Sequence, residues 1–180
     1  MTPIERVIAM ATDIGFEEAA EMDPKTIVLR EDVRAMCAEG KCHAYGKNWT
    51  CPPVCGDLDE CRSIVDAYRE GIGIIVQSVG QLEDSMDYET MMDTGKAHGE
   101  RFRMLAEKIK EEYPSALCLG AGGCSVCKSC SYPQPCRFPE KAFSSMEGFG
   151  MLVSDVCTAN NVPYYHGENT ITYVGCYLIK

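Results

Sequence analysis

GIGIIVQSVG (residues 71–80) reads as a buried strand, a short apolar run set between glycines. The segments around it decide the fold class. Downstream, residues 85–113 form the longest helix expected in the chain. Tyr88, Met92, Gly95, Gly99, Phe102, Ala106, Ile109 and Tyr113 recur there at alternating spacings of four and three. The two glycines on that stripe each weaken a helix by about 1 kcal/mol relative to alanine, and they leave room for another element to come close. Ala116–Leu119 is a second strand, leading into a cysteine-rich loop over residues 120–143. Ser144 with Glu147 has the form of a capping box and opens a helix to about Asn160, and Ile171–Ile179 closes the series as a strand. Alternation of strand, helix, strand, helix and strand predicts an α/β fold: a small, largely parallel sheet flanked by helices, carrying two cysteine-rich loops.

Upstream, residues 3–20 predict an amphipathic helix with Ile4, Val7, Ile8, Ala11 and Ile14 on one face, and Thr26–Leu29 a short strand. Cys37 to Cys55 is an irregular loop punctuated by Gly40, Gly46, Pro52, Pro53 and Gly56. Asp57, with Glu60 three residues on, caps a further helix whose inward face holds Leu58, Cys61, Val65 and Tyr68. No repeat or linker divides the 180 residues, which read as a single domain with cysteine loops at about 37–61 and 120–143.

Twelve cysteines are the anomaly in a composition that is otherwise ordinary, at 46% hydrophobic and 24% charged. Disulfides would suit a secreted chain, but Glu5, Arg6 and Asp13 occupy the place of an uncharged export segment. No stretch reaches the roughly 20 apolar residues of a membrane span. The expected location is therefore the cytoplasm, where clustered thiols stay reduced and serve metal or redox chemistry. A formal net charge of -10 and the absence of any Lys/Arg run make nucleic acid a poor partner, and without an apolar span no membrane is expected as one. The same acidity suits docking to a basic redox protein.

Cys124, Cys127 and Cys130 stand at C-x2-C-x2-C spacing, with Cys136 following after five intervening residues. The run resembles the bacterial ligand run for a [4Fe–4S] cluster, except that its last gap is five residues instead of three. Three steps of loop backbone supply three thiolates around a compact cube, and Cys136, in a proline-stiffened segment, closes the cage. Gly120, Gly122 and Gly123 let backbone approach the sulfurs, Lys128 and Arg137 offset the negative charge, and a helix start at Ser144 would add its positive end. Zinc is the alternative, although it more often takes two separated C-x2-C knuckles. Upstream, Cys37, Cys42, Cys51, Cys55 and Cys61 are five thiols for four positions. Cys37, Cys42 and Cys51 are the better three. Cys55 and Cys61 are alternates for the fourth, with Cys61 favoured as a thiolate by its place at a helix start. His43 could replace a thiol, but it fits a loop residue better.

Cys118, Cys157 and Cys176 fall on apolar faces and read as core thiols. His98 on the long helix reads as packed structure. His166, beside Tyr164 and Tyr165, is the one histidine placed to line a pocket. Gly120-Ala121-Gly122-Gly123 fails as a dinucleotide fingerprint, because Ser125 stands where the third glycine belongs and no helix follows. No other catalytic motif or organic-cofactor motif is present, so no residue is assigned to catalysis.

The stretches MCAEGKCHAYGKNWTCPP (residues 36–53) and LGAGGCSVCKSCSYPQPCRFPEKAFSSMEGFG (residues 119–150) together resemble a family of small prokaryotic proteins known as predicted metal-binding, the domain of unknown function 2284. The likeness runs from about Val33 to the end and takes in both cysteine motifs, Cys-Pro-Pro and Ser-Met-Glu. Similar proteins carry a Leu-Glu-Glu-Cys-like segment after Cys-Pro-Pro, here Leu58-Asp59-Glu60-Cys61, which turns the fourth ligand of the first site toward Cys61. The resemblance implies metal binding and leaves the reaction open. The expectation is two [4Fe–4S] clusters in an anaerobe-type electron-transfer protein, on Cys124, Cys127, Cys130 and Cys136, and on Cys37, Cys42, Cys51 and Cys61. A cluster enzyme with an open iron or an adjacent pocket, with His166 or a tyrosine as proton donor, and a structural or carrier zinc protein are the alternatives.

Overall fold

The computed structural model describes residues 1–39 and 42–180. Gly40, expected to punctuate the first cysteine loop, lies with Lys41 outside the described residues. Among those described, five α-helices and four strands make a mixed α/β fold.

The run at 71–80 forms β2 (Ile72–Gln81), and it pairs along its whole length with β4 (Thr170–Ile179), from Ile72 opposite Ile179 to Gln81 opposite Thr170. β1 (Glu18–Met22) flanks β2 and β3 (Leu117–Leu119) flanks β4, giving the order β1-β2-β4-β3. Every neighbouring pair is antiparallel, so the expected parallel sheet is not what forms. Both β2 and β3 run opposite to β4 and hence in the same direction, as a helical crossover between them requires. The chain then returns and lays β4 between them, which turns two would-be parallel neighbours into two antiparallel pairs.

Side chains alternate across the sheet because successive residues of a strand face opposite ways. Ile74, Val76, Tyr177 and Ile179 pack with α1 (Pro3–Ile14) and α4 (Tyr88–Glu112) through Val7, Ala11, Phe102, Leu105 and Ile109. Ile75, Cys176 and Leu178 meet α3 (Leu58–Asp66) and α5 (Val153–Ala159) through Cys61, Val65, Val156 and Cys157. Helices thus cover both faces, which is why β2 is buried along most of its length. α4 is continuous through its glycines. A Cβ at Gly95 would stand 3.0 Å from the Tyr173 ring, so that glycine lets β4 lie close to the helix.

Other local expectations shift. α1 ends at Ile14 and not near residue 20, because Gly15 turns the chain with φ 108° and releases Glu18–Met22 to become β1. Thr26–Leu29 makes no strand; a 3₁₀ turn over Pro24–Thr26 is followed by a single bridge from Leu29 to Met151. No helix begins at Ser144. Tight turns through Gly148 and Gly150 (φ 92°) occupy residues 145–151, and α5 starts only at Val153. Asp57 does cap α3: its carboxylate accepts from Glu60 N at 2.8 Å while Glu60 accepts from Asp57 N at 2.7 Å.

Candidate metal centre

β3 delivers the chain to the second cysteine loop. Gly120 forms a parallel bridge with Ser145: Gly120 N donates to Ser144 O and Met146 N to Gly120 O, each at 2.9 Å. This closes the base of a loop that holds Cys124, Cys127, Cys130 and Cys136. Within it, Ser131 Oγ donates to Pro135 O at 2.8 Å and Arg137 Nη1 to Ser129 O at 3.0 Å, so the last two cysteines are joined by a braced turn. Burial pushes the Cys124 thiol up, a backbone N–H from Val126 opposes this, and the neighbouring Cys136, Cys127 and Cys130 add to the rise. The other three sulfurs therefore lie within electrostatic range of Cys124. Lys128 is exposed, as expected of a charge beside the loop, whereas the helix end expected at Ser144 is missing.

The first set is built differently from its expectation. Cys37 is not in the loop but in the last turn of α2 (Glu31–Ala38). Burial raises its pKa, followed in effect by Cys42 and Cys51. Cys42 is exposed and Cys51 is buried. Cys61 is fully buried on the first turn of α3. The neighbouring Cys55 thiol is the main reason the Cys61 thiol falls to about 7, with Arg34 assisting against the cost of burial, and Cys61 in turn drives Cys55 upward. The five thiols thus divide into Cys37, Cys42 and Cys51 on one side and the Cys55–Cys61 pair on the other.

Two residues that the cysteine spacing did not single out sit among these thiols. Arg34, one helical turn before Cys37, donates through Nη2 to Gly56 O at 2.7 Å. Its Nη1 donates to Gly148 O at 3.0 Å and to Cys61 Sγ at 3.4 Å. An arginine at i−3 from a helical cysteine is a signal that could have found it. Glu147, the acid of Ser-Met-Glu, turns its carboxylate inward, where burial raises its pKa despite bonds from Ser145 and the Gly122 amide. Its Oε2 has no partner among the described residues. Glu147 shares a cleft of about 270 Å³ with Cys37, Cys42 and Tyr164. The Ser144–Glu147 capping box is therefore replaced by a buried carboxylate beside thiols.

The two loops meet. Trp49 Nε1 donates to Gln134 O at 2.8 Å, its ring packs edge-on to Tyr132 at 5.1 Å, and a Cβ on Gly123 would lie 3.7 Å from Cys51 Sγ. Cys130 is close enough to raise the Cys51 pKa. Among the described residues no three His, Cys, Asp or Glu side chains already converge at ligand spacing. The donor chemistry nevertheless suits a thiophilic cation: many soft sulfurs on two abutting loops, with an unpaired buried carboxylate whose charge such a cation would offset.

His43 is exposed. His166 Nε2 lies 2.8 Å from Gln77 Oε1, which ties it to the inner strand β2 and not to the thiol cleft. Cys118, Cys157 and Cys176 are buried core residues; burial pushes Cys118 up to about 12 and Cys157 to about 11.

Among the described residues no helix is long and apolar enough to cross a membrane. No curated protein and no solved structure matches the chain. Residues 20–179, which include both cysteine loops and all four strands except the first two residues of β1, match the family described as "Predicted metal-binding protein (DUF2284)", and the chain belongs to that family.

Proposed function

We propose that this chain is a cytoplasmic, single-domain iron–sulfur protein that binds two [4Fe–4S] clusters and passes single electrons to or from a redox partner protein. Cys124, Cys127, Cys130 and Cys136 hold one cluster; Cys37, Cys42, Cys51 and Cys61 hold the other, with Cys55 as the alternate to Cys61. The observation that carries this reading is the contact between the two thiol loops, through Trp49 with Gln134 and through Gly123 with Cys51. Bound clusters would supply one-electron chemistry at two adjacent points. The chain's own residues hold and balance them. Arg34 places a fixed positive charge at Cys61, Arg137 braces the turn that carries Cys130 and Cys136, and the Trp49 bond fixes one loop against the other. Anaerobic purification followed by iron, sulfide and zinc analysis tests the proposal, with an EPR spectrum of the dithionite-reduced protein. About eight irons and eight sulfides per chain are expected from two cubanes. A colourless protein containing zinc instead sinks the iron–sulfur reading and leaves a structural or carrier zinc protein.

A second reading, a cluster-dependent enzyme, is favoured by the cleft in which Glu147 and Tyr164 face Cys37 and Cys42. It moves the acid–base role from His166 to Tyr164 or Glu147. Separate Cys55→Ala and Cys61→Ala variants that both keep the full iron content would support a first site with three thiolates and one open position. Loss of iron in one of them would argue for a closed electron carrier.

A further inference from the structure

A second cavity, of about 530 Å³, opens between α4 and the glycine-rich start of the second cysteine loop. Its size falls within the roughly 300–1,000 Å³ of small-molecule sites. Phe102, Phe143 and Tyr173 supply an aromatic lining, and Cys124 forms part of one wall. Lys96, Arg103 and Lys141 line it against Asp93 and Glu100, which leaves one net positive charge in a chain whose formal net charge is -10. Among the described residues none of these three cations is paired with a carboxylate.

His98 also lines this cavity and is only 1% exposed. Ser78 Oγ accepts from Arg101 Nη1 at 3.3 Å and lies 3.0 Å from His98 Nδ1. Among the described residues Nδ1 is the acceptor within reach of the Ser78 hydroxyl proton. The arrangement that satisfies all three groups has Ser78 donating to Nδ1 and the ring proton on Nε2. Nε2 has no partner among the described residues. A buried N–H left unpaired is costly, so one on a residue that lines a cavity calls for a ligand oxygen. Burial also lowers the His98 pKa to about 4, so near pH 7 the ring is a neutral donor.

The ligand's charge can be narrowed further. Phosphate sites in glycine-rich loops are made by converging backbone N–H groups. Here the Gly120 N–H is taken by Ser144 O, and the Gly122 N–H is close enough to the Glu147 carboxyl to act on its pKa. A single net positive charge with aromatic walls suits a monoanion with an apolar body.

We propose that this cavity binds a small organic monocarboxylate, with Arg103, Lys96 and Lys141 offsetting its charge, His98 Nε2–H donating to one of its oxygens, and its apolar body against Phe102, Phe143 and Tyr173. The site depends on these residues and not on which metal the cysteines hold.

The test uses the full chain purified anaerobically, with whatever metal it carries. Acetate, phenylacetate, 2-phenylethanol and inorganic phosphate are titrated by calorimetry. Phenylacetate is expected to bind about tenfold or more tightly than its neutral analogue 2-phenylethanol. Arg103→Gln, at a partly exposed position, is expected to weaken phenylacetate about tenfold while leaving the circular dichroism spectrum unchanged. In nitrogen-15 spectra the His98 Nε2 proton shifts on phenylacetate addition, a response that a purely structural histidine would not give. Failure of both carboxylates to bind the folded protein at millimolar concentration overturns the proposal. So does equal binding of 2-phenylethanol, stronger binding of phosphate, or an Arg103→Gln variant with unaltered affinity.

Discussion

Replacing Arg34 by methionine removes a planar charged group that ties three segments together, while keeping an apolar stem of similar length. The guanidinium links α2 to the carbonyl of Gly56, at the end of the first cysteine loop, and to that of Gly148, in the turn carrying Glu147. Hydrogen bonds to a charged partner contribute about 1.5–3 kcal/mol each. Arg34 is only part-buried, so the lower bound applies to both carbonyl bonds, a loss of about 3 kcal/mol. For a chain of this size 1 kcal/mol moves the melting temperature by roughly 2–4 °C, so Arg34→Met should melt about 6–12 °C below the parent. The contact with Cys61 Sγ is lost as well, so the Cys61 thiol rises from about 7. Arg34→Lys restores the charge but not the fork, and should recover roughly half of the loss. Thermal unfolding of the reduced, metal-free proteins, followed by circular dichroism, gives the comparison. A methionine variant within about 1 °C of the parent would refute the claim that Arg34 joins the thiol-bearing segments.

Three further outcomes follow from individual contacts. In the metal-free protein the buried Glu147 favours its protonated form, so its contribution is full below the ordinary value of 4.5 and is lost as pH rises through its elevated one; Glu147→Gln should flatten that decline in urea-unfolding series, and parallel curves for parent and variant would count against it. Gly175→Ala would place a Cβ 2.6 Å from Phe102 Cε2, and should destabilise by about 1–3 kcal/mol through overpacking, read from the urea midpoint. Cys127→Ser should lower the metal content of anaerobically purified protein, whereas Cys118→Ser, at a buried position within β3, should lower the melting temperature and leave metal per folded chain unchanged; equal metal loss in both would remove the distinction between loop and core thiols.

The parts of this fold that were legible in the sequence are those decided by near neighbours along the chain. The apolar run of β2, the Asp57–Glu60 cap and the burial of Cys118, Cys157 and Cys176 each follow from residues a few positions apart. Strand order does not. The segment at 170–179 looks the same whether it lies at an edge or between two earlier strands, and its place between β2 and β3 reverses the sheet from parallel to antiparallel. The start of the α4 stripe misleads for a related reason: Tyr88 and Met92 are exposed, and the inward face is set by His98, Phe102, Leu105 and Ile109. At the thiol loops the cysteines announced themselves by spacing alone. Arg34 and Glu147 did not, because a charged residue on a short helix and an acid in a capping pattern ordinarily face water. They are recognisable only once three distant segments have been brought to one place.

β4 also dictates an order of events during synthesis. It is a central strand, hydrogen-bonded on both edges, yet it follows both cysteine loops in the chain. At about 5–20 residues per second, roughly 2–7 s separate the emergence of Cys136 from that of Thr170. Throughout that interval all eight thiols proposed to hold metal are outside the ribosome while the scaffold that will position them lacks its middle. The thiols are therefore open to oxidants and to stray metal ions before the pocket exists, and delivery of the right metal is timed against completion of the sheet.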